Sequence, residues 1–264
     1  DRMANEFAST AELCREAGFD AVEIHMGHGY MLNQFISPLS NKRTDQYGGN
    51  AENRARFPAM VLKRVKEAVG KDLAVLAKIN VADGVRSGAT VDDAIVTGKV
   101  LQAAGADMLV LSGGRNIEST WFIFGSNLNV EEMERVLHDR WFLRTMMKLS
   151  QRFAPKVEFK EMYFLDYSRK IRAALDMPLA YLGGTKSMDN VEIAMRDGFE
   201  CVVMARALIH DTALINKFKE GTLRHSGCTS CNSCVAYIYD PAGTRCVENP
   251  PNELKLNQVR ASAG

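Results

Sequence analysis

Two histidines and a tyrosine follow an apolar stretch near the start of the chain. His25 ends the run from Phe19 to His25, and His28 and Tyr30 lie in the glycine-containing loop after it. Imidazole N–H groups can stabilise an oxygen that gains negative charge, and a phenol can donate a proton. The spacing alone is equally typical of loop residues without a joint role, so the motif must be interpreted from its surroundings.

Four cysteines form a second group, near the C-terminus. Two residues separate Cys228 from Cys231 and Cys231 from Cys234, and Cys246 follows after eleven more. Four sulfur ligands without histidine select a [4Fe–4S] cluster or a structural zinc ion. Zinc sites more often use two separated Cys-x2-Cys pairs, so the spacing favours iron and sulfur. Unligated thiols are the third interpretation.

Charge and composition exclude several classes of protein. The 264 residues include 33 Lys and Arg against 32 Asp and Glu, a balance that disfavours nucleic-acid binding. Because no run of about 18 apolar residues exists, we expect no membrane span and no membrane partner. Cys14 and Cys201 are expected to be buried thiols in a reducing compartment, which favours the cytoplasm. A targeting signal, if one exists, would lie upstream of Asp1.

The elements that must position these residues alternate between short apolar strands and helices. Such strands are typical of a parallel sheet, which forms either an open doubly wound fold or a closed barrel. The turn after the first strand lacks G-x-G-x-x-G, which disfavours a dinucleotide-binding doubly wound fold. Five βα units can be counted, fewer than a (β/α)8 barrel has. The predicted strands are 19–25, 73–79, 107–111, 179–182 and 201–204, and the predicted helices are 3–17, 51–69 with Asn50 as N-cap, 92–104, 130–151, 164–175, 187–196 and 211–219.

Glycines and a cation follow the last two predicted strands. Gly183 and Gly184 come after the fourth strand, and Ala205 and Arg206 come after the fifth. In a barrel, the loops after the final two strands usually bind phosphate through backbone N–H groups and a cationic side chain. The alternative is a pair of turn glycines with a surface arginine.

The run from Gln34 to Phe57, QFISPLSNKRTDQYGGNAENRARF, points to a family. It closely resembles the old yellow enzyme family of flavin-dependent ene-reductases, in particular the branch that contains 2,4-dienoyl-CoA reductase. The resemblance extends from about residue 1 to 115 and from about 176 to 250, whereas residues 116–175 match poorly.

The resemblance implies an α/β fold, a TIM barrel that holds FMN non-covalently. Residues 1–225 are expected to form the five C-terminal βα units of this barrel, and residues 226–264 a cysteine-rich C-terminal segment. The family has three more units before the point at which this sequence begins. The chain is therefore expected to be a fragment or a shortened form.

The resemblance also assigns roles after the first strand. His25 and His28 match the pair that binds the carbonyl oxygen of the substrate, and Tyr30 matches the tyrosine that protonates the α carbon. In the family, FMN reduced by NAD(P)H gives a hydride to the β carbon. The implied activity is reduction of the C=C bond of a small α,β-unsaturated carbonyl compound. A packing tyrosine is the alternative for Tyr30.

Five further positions match cofactor-binding positions of the family. Lys78 ends the second strand where the family usually has arginine beside the pyrimidine end of the flavin; a surface lysine is the alternative. Gly183, Gly184, Ala205 and Arg206 match the FMN phosphate cradle.

The same branch has a similar [4Fe–4S] cluster after its barrel, with three residues rather than two between the second and third cysteines. Only 18 residues follow Cys246, so electrons would reach such a cluster from a separate donor protein. A second copy of the chain, in a homo-oligomer, is the other expected partner. Two rival functions stay open: amine dehydrogenase or demethylase chemistry on the same scaffold, and a non-catalytic metal-binding remnant.

Overall fold

The structure, a computed structural model, describes residues 2–250. The chain divides into two compact units. The first comprises the residues up to 123 together with 164–183 and 194–203. The second comprises 124–163, 184–193 and the residues from 204 onwards.

The first unit contains a parallel sheet whose five strands are hydrogen-bonded in the order of the chain. A doubly wound sheet changes direction at a switch point, whereas a barrel adds each strand beside the one before it. The order therefore supports the barrel class that the resemblance implies. The strands are β1 (Ala21–His25), β2 (Ala74–Asn80), β3 (Met108–Ser112), β4 (Leu179–Leu182) and β5 (Cys201–Val203).

Helices connect the strands, and their apolar faces supply much of the core. Helix α3 buries Val61, Leu62, Val65 and Val69 on one face. It begins where the side chain of Asn50 accepts a hydrogen bond from the backbone N–H of Asn53, as an N-cap does. The helices are α1 (Arg2–Glu16), α2 (Met31–Ile36), α3 (Ala51–Val69), α4 (Val91–Ala103), α5 (Thr120–Phe124), α6 (Val130–Val136), α7 (Trp141–Phe153), α8 (Leu165–Arg172), α9 (Met188–Arg196), α10 (Arg206–His210), α11 (Leu214–Lys219) and α12 (Ser233–Ala236).

One predicted helix is wrong, because the span 130–151 contains two helices. Helix α6 ends where Leu137 donates its backbone N–H to the carbonyl of Met133, and α7 starts at Trp141. Met133 and Leu137 are buried against Ala236 and Tyr237. The break follows from this packing, which a periodic pattern of apolar residues does not reveal.

The two isolated cysteines are also placed differently from the prediction. Cys201 is exposed, and Cys14 is only half-buried. Cys201 opens β5, which is one of the two terminal strands of the described sheet. In residues 2–250, no helix is long and apolar enough to cross a membrane.

Candidate functional site

His25 and Lys78 lie side by side at the carboxyl ends of β1 and β2. The two residues are partners in the register of the parallel ladder, which continues as the N–H of Met26 donates to the carbonyl of Lys78. Because side chains alternate along a strand, partners on neighbouring strands point to the same face. The structure thus brings together two site residues that are 53 positions apart in the sequence.

The rings of the three predicted catalytic residues form one cluster. The centroid of His25 lies 4.8 Å from that of His28 and 4.9 Å from that of Tyr30. The backbone N–H of Gly27 donates to Nδ1 of His25 at 3.2 Å, so this nitrogen is an acceptor and the proton of the neutral ring is on Nε2. The His25 ring therefore presents one N–H donor.

The backbone of His28 adopts a left-handed conformation with a φ of 58°. Its N–H donates to Oδ1 of the buried Asn80 at 3.0 Å, and its Nε2 lies 2.7 Å from Oγ of Ser112. Asn80 is itself fixed because its Nδ2 donates to Asp83 and to the carbonyl of Gly114. The last residues of β2 and β3 therefore hold the loop that follows β1.

The turn after β1 leaves no space for a side chain at Gly27. A Cβ atom at this position would lie 2.6 Å from Oδ1 of Asn80, the same oxygen that accepts the N–H of His28. Any other residue here would displace that acceptor. Sequence reasoning missed Asn80, whose only signal was a polar residue at the end of an apolar strand.

Both imidazoles are neutral over the physiological range. Burial lowers the pKa of His28 to about 3, with smaller contributions from His25 and the cation of Lys78. Burial and Lys78 also lower the pKa of His25, while Glu23 acts in the opposite direction. Each neutral ring keeps one N–H group that can donate a hydrogen bond to an oxygen that gains negative charge.

Lys78 forms an ion pair with Glu23, whose Oε1 lies 2.6 Å from its Nζ. The sequence indicated that a cation within this strand needs a partner, and a periodicity of two places Glu23 on the same face of β1 as His25. The charge of Lys78 is therefore paired, and its side chain is only partly exposed.

Two further buried residues support the loop and were not predicted. Oδ1 of Asn33 accepts hydrogen bonds from the N–H of Gly29 at 2.8 Å and from Nη1 of Arg115 at 3.2 Å. Tyr30 is the N-cap residue of α2, which begins at Met31, and it is 53% exposed. The phenol is thus open to solvent beside a rigid turn.

Gly183 and Gly184, which follow β4, each lie close to an aromatic side chain. In the first unit, the carbonyl of Gly183 accepts a hydrogen bond from the Tyr181 hydroxyl at 2.8 Å. In the second unit, Gly184 has a φ of 76°, and a Cβ there would lie 2.8 Å from the Tyr163 ring. The next residue, Thr185, is buried, and its Oγ1 has no hydrogen-bond partner.

Arg206 is the first residue of α10, and the exposed Ala205 precedes it. Its guanidinium donates to the side chain of Asn232 and, at 2.8 Å, to the carbonyl of Phe124. It also lies 5.7 Å and 5.5 Å from the ring centroids of Phe124 and Phe159, within the range of cation–π contacts. It also forms a hydrogen bond with the Tyr163 side chain. A guanidinium has five N–H donors, so these three partners leave others available.

The four cysteines of the C-terminal segment lie near one another in the second unit. Cys228, Cys234 and Cys246 are buried, and Cys231 is exposed. Burial raises the pKa of Cys234 to about 11; Arg206 acts in the opposite direction, and the other three thiols raise it further. Each cysteine is therefore close enough to Cys234 for its charge to act there.

His210 and Glu248 stand beside Cys246, an arrangement that the sequence analysis missed. Nδ1 of His210 lies 3.4 Å from Sγ of Cys246, and the ligand atoms of the three residues are all within 4.8 Å of one another. Thr229 donates to the carboxylate of Glu248. The contacts span 36 positions of sequence, so spacing could not have revealed them.

Comparison with known proteins identifies the family. Residues 1–120 match the NADH:flavin oxidoreductase / NADH oxidase family. This part of the chain belongs to the family. The match includes β1, β2, β3 and the loop that carries His25, His28 and Tyr30, and it confirms the resemblance found in the sequence.

Relatives extend this family likeness over most of the chain. A 4,4'-dithiodibutanoate disulfide reductase of Rhodococcus erythropolis is 38% identical over 94% of this chain and 61% of its own length. An NADH oxidase of Thermoanaerobacter brockii is 28% identical over 95% of this chain and 34% of its own length. The chain thus spans about a third to three fifths of these two relatives.

Solved structures of family members share the fold. A 2-naphthoyl-CoA reductase complex superposes with a TM-score of 0.75 at 24% identity, over 97% of this chain and 35% of the other. An old yellow enzyme homologue from Zymomonas mobilis gives a TM-score of 0.60 at 19% identity, over 94% of this chain and 57% of the other. These likenesses confirm the barrel fold class.

Proposed function

We propose that the protein is an FMN-dependent oxidoreductase that uses NAD(P)H to reduce the C=C bond of a small α,β-unsaturated carbonyl compound. One observation carries the proposal: two neutral imidazoles and an exposed phenol lie together at the carboxyl end of β1. A carbonyl that becomes an enolate needs hydrogen-bond donors at its oxygen and a proton at its α carbon, and this cluster offers both.

Each unit, taken by itself, has donors whose chemistry suits a part of FMN. In the first unit, Lys78 supplies a cation for the pyrimidine end of the flavin. In the second, the buried Thr185 hydroxyl lacks a partner and Arg206 keeps N–H donors, as a phosphate-binding loop requires. Gly183, Gly184 and Ala205 would offer their backbone N–H groups. When bound, FMN supplies the hydride that the substrate receives.

His25 and His28 bind and orient the substrate oxygen in this proposal. The Gly27 N–H fixes the tautomer of His25, so its Nε2–H is free to donate. Asn80 and Ser112 fix the backbone and ring of His28. Since both rings are already oriented and neutral, little reorganisation is needed as negative charge develops on the oxygen.

Tyr30 holds the proton that completes the reduction. Its ring packs beside that of His25, and its hydroxyl group is accessible to a substrate because the side chain is half exposed. The proton passes from the phenol to the α carbon of the substrate, and solvent restores it afterwards.

Anaerobic stopped-flow mixing of the flavin-loaded protein tests this proposal. NADH or NADPH should bleach the flavin absorption, and an enone added afterwards should restore it with formation of the saturated ketone. Bleaching without restoration by any enone would contradict the ene-reductase assignment.

Reduction of an organic disulfide is a second candidate, because the Rhodococcus relative is named for that reaction and is 38% identical to this chain. Hydride transfer plus one proton converts a disulfide into two thiols, so the same donors balance the reaction. The same experiment decides between the candidates if a disulfide replaces the enone and released thiol is measured.

We also propose that Cys228, Cys231, Cys234 and Cys246 hold a [4Fe–4S] cluster. The support is their proximity: burial and the three neighbouring thiols raise the pKa of Cys234. A raised pKa makes the Cys234 thiolate costly to form, and a bound metal would offset that cost because it favours the thiolate.

A further inference from the structure

Helix α7 has an exposed apolar stripe. Phe142, Met146, Leu149 and Phe153 follow one another at spacings of four, three and four residues, which places them on one side of a helix. All four are exposed, Phe153 to 79%. Trp141, at the start of the helix, is 73% exposed. A run of large apolar side chains this exposed marks an interaction surface.

The stripe is not the side by which the helix packs onto its own unit. Met147 contacts the buried cluster formed by Met133, Leu137 and residues of α12 and the following turn. Lys148 also anchors α7, through an ion pair with Glu134 at 2.7 Å. The helix is therefore held along one edge while its stripe faces solvent.

The charges of the helix all have the same sign. Arg144, Lys148 and Arg152 recur every four residues, which places them along a second side of α7, and Arg140 precedes the helix. The sequence of α7 contains neither Asp nor Glu. An apolar stripe beside a purely basic side is typical of helices that lie in the interface of an anionic membrane.

We propose that α7 docks the protein onto an anionic lipid surface. The stripe would enter the boundary between headgroups and acyl chains, with Trp141 at the interface and Arg140, Arg144 and Arg152 on the lipid phosphates. Charge complementarity selects this occupant over a second copy of the chain, because two α7 helices would bring basic sides of the same sign together. The family match ends at residue 120, so α7 lies outside it.

Co-sedimentation of the intact protein with vesicles tests the proposal. Vesicles of mixed phosphatidylglycerol and phosphatidylcholine should pull down the protein, and pure phosphatidylcholine vesicles should not. Added salt should release it, because screening weakens the attraction. Emission from Trp141 should shift to the blue on binding, and Trp141→Phe should remove this shift.

Two double variants separate the apolar and the electrostatic contributions. Phe142→Ser with Phe153→Ser should weaken binding at least about 100-fold, because each buried phenyl ring contributes at least about tenfold. Arg140→Glu with Arg152→Glu should weaken it at least about 25-fold, since each cation near an anionic surface contributes about fivefold. The matched controls are Leu13→Ser on α1 and Lys99→Glu on α4, both exposed, which should bind like the parent.

Three outcomes would overturn the proposal. The first is the same affinity for anionic and neutral vesicles, and the second is binding that both double variants retain. The third is a dimer in sedimentation equilibrium that Phe142→Ser with Phe153→Ser converts to a monomer, because the stripe would then be covered by a second copy of the chain.

Discussion

The loop after β1 and the segment from Cys228 to Cys246 both gather reactive side chains, but they hold them differently. In the loop, residues such as Asn80 make the supporting hydrogen bonds, so the reactive rings keep free ring atoms. In the segment, three of the four reactive thiols are themselves buried, and burial raises the pKa of Cys234 to about 11. In the loop, neighbouring residues hold the reactive rings in place, whereas in the segment most of the reactive groups are buried.

The difference determines what each region requires before it can act. Neutral imidazoles in a fixed turn are ready to bind an oxygen in the folded protein. The buried Cys234 thiol, whose pKa is raised, binds a metal only after losing its proton, so the metal must supply the favourable free energy. The first region should therefore be sensitive to changes in its scaffold, and the second to the loss of any one ligand.

The largest expected effect is the loss of the cluster. Protein purified without oxygen should contain about four iron and four sulfide per chain, and Cys234→Ser should contain almost none. Cys201→Ser, which changes an exposed thiol outside the segment, should keep the parent content. Unchanged iron in Cys234→Ser would remove Cys234 from the ligand set, and zinc without sulfide would replace the cluster by a structural zinc site.

A smaller but still large effect is expected at the first region. His25→Ala should reduce turnover of an enone by about 10²–10³-fold, the usual cost of losing one donor to a developing oxyanion. His225→Ala, which removes an exposed histidine paired with Glu161, should leave turnover unchanged. If His25→Ala lowered only the melting temperature, the ring would be structural.

The smallest effect concerns the pH dependence of stability. An unfolded chain protonates His28 below a pH of about 6.5, whereas the folded protein resists until about 3. Above pH 6.5, His28 is neutral in both states and costs the folded protein no stability. As the pH falls from 6.5 toward 3, only the unfolded chain gains the proton, so the free energy of unfolding falls by up to about 1.4 kcal/mol per pH unit.

Urea unfolding at several pH values between 6.5 and 4.5 measures this slope. His28→Gln cannot titrate and should show a shallower decline than the parent protein. Equal slopes for the two proteins would mean that His28 gains its proton in the folded protein over the same pH range as in the unfolded chain. The His28 ring would then not stay neutral in the folded protein, and the proposed difference between the two regions would be wrong.

The sequence predicts local structure well where local chemistry determines it. Helix α3 has the predicted bounds because Asn50 caps its first turn. His25 ends β1 as predicted, whereas β2 continues two residues past Lys78 to Asn80. The break between α6 and α7 and the exposure of Cys201 were missed, because both depend on tertiary packing rather than on local sequence.

The support of the candidate site could not be predicted for a related reason. His28 meets Asn80 across 52 positions, and His210 meets Cys246 across 36. Such contacts depend on strand register and loop path rather than on spacing. The left-handed backbone of His28 is likewise fixed by distant partners, since nothing in its residue type requires it.

The measurement that tests the account most directly compares the two half-reactions of Tyr30→Phe. The phenol is assigned a single task, protonation of the α carbon, beside imidazoles that bind the oxygen. Stopped-flow traces should show flavin reduction by NAD(P)H at the parent rate and reoxidation by an enone slowed by about 10²-fold or more. Equal slowing of both half-reactions, or of neither, would contradict the assignment of Tyr30 as the proton donor.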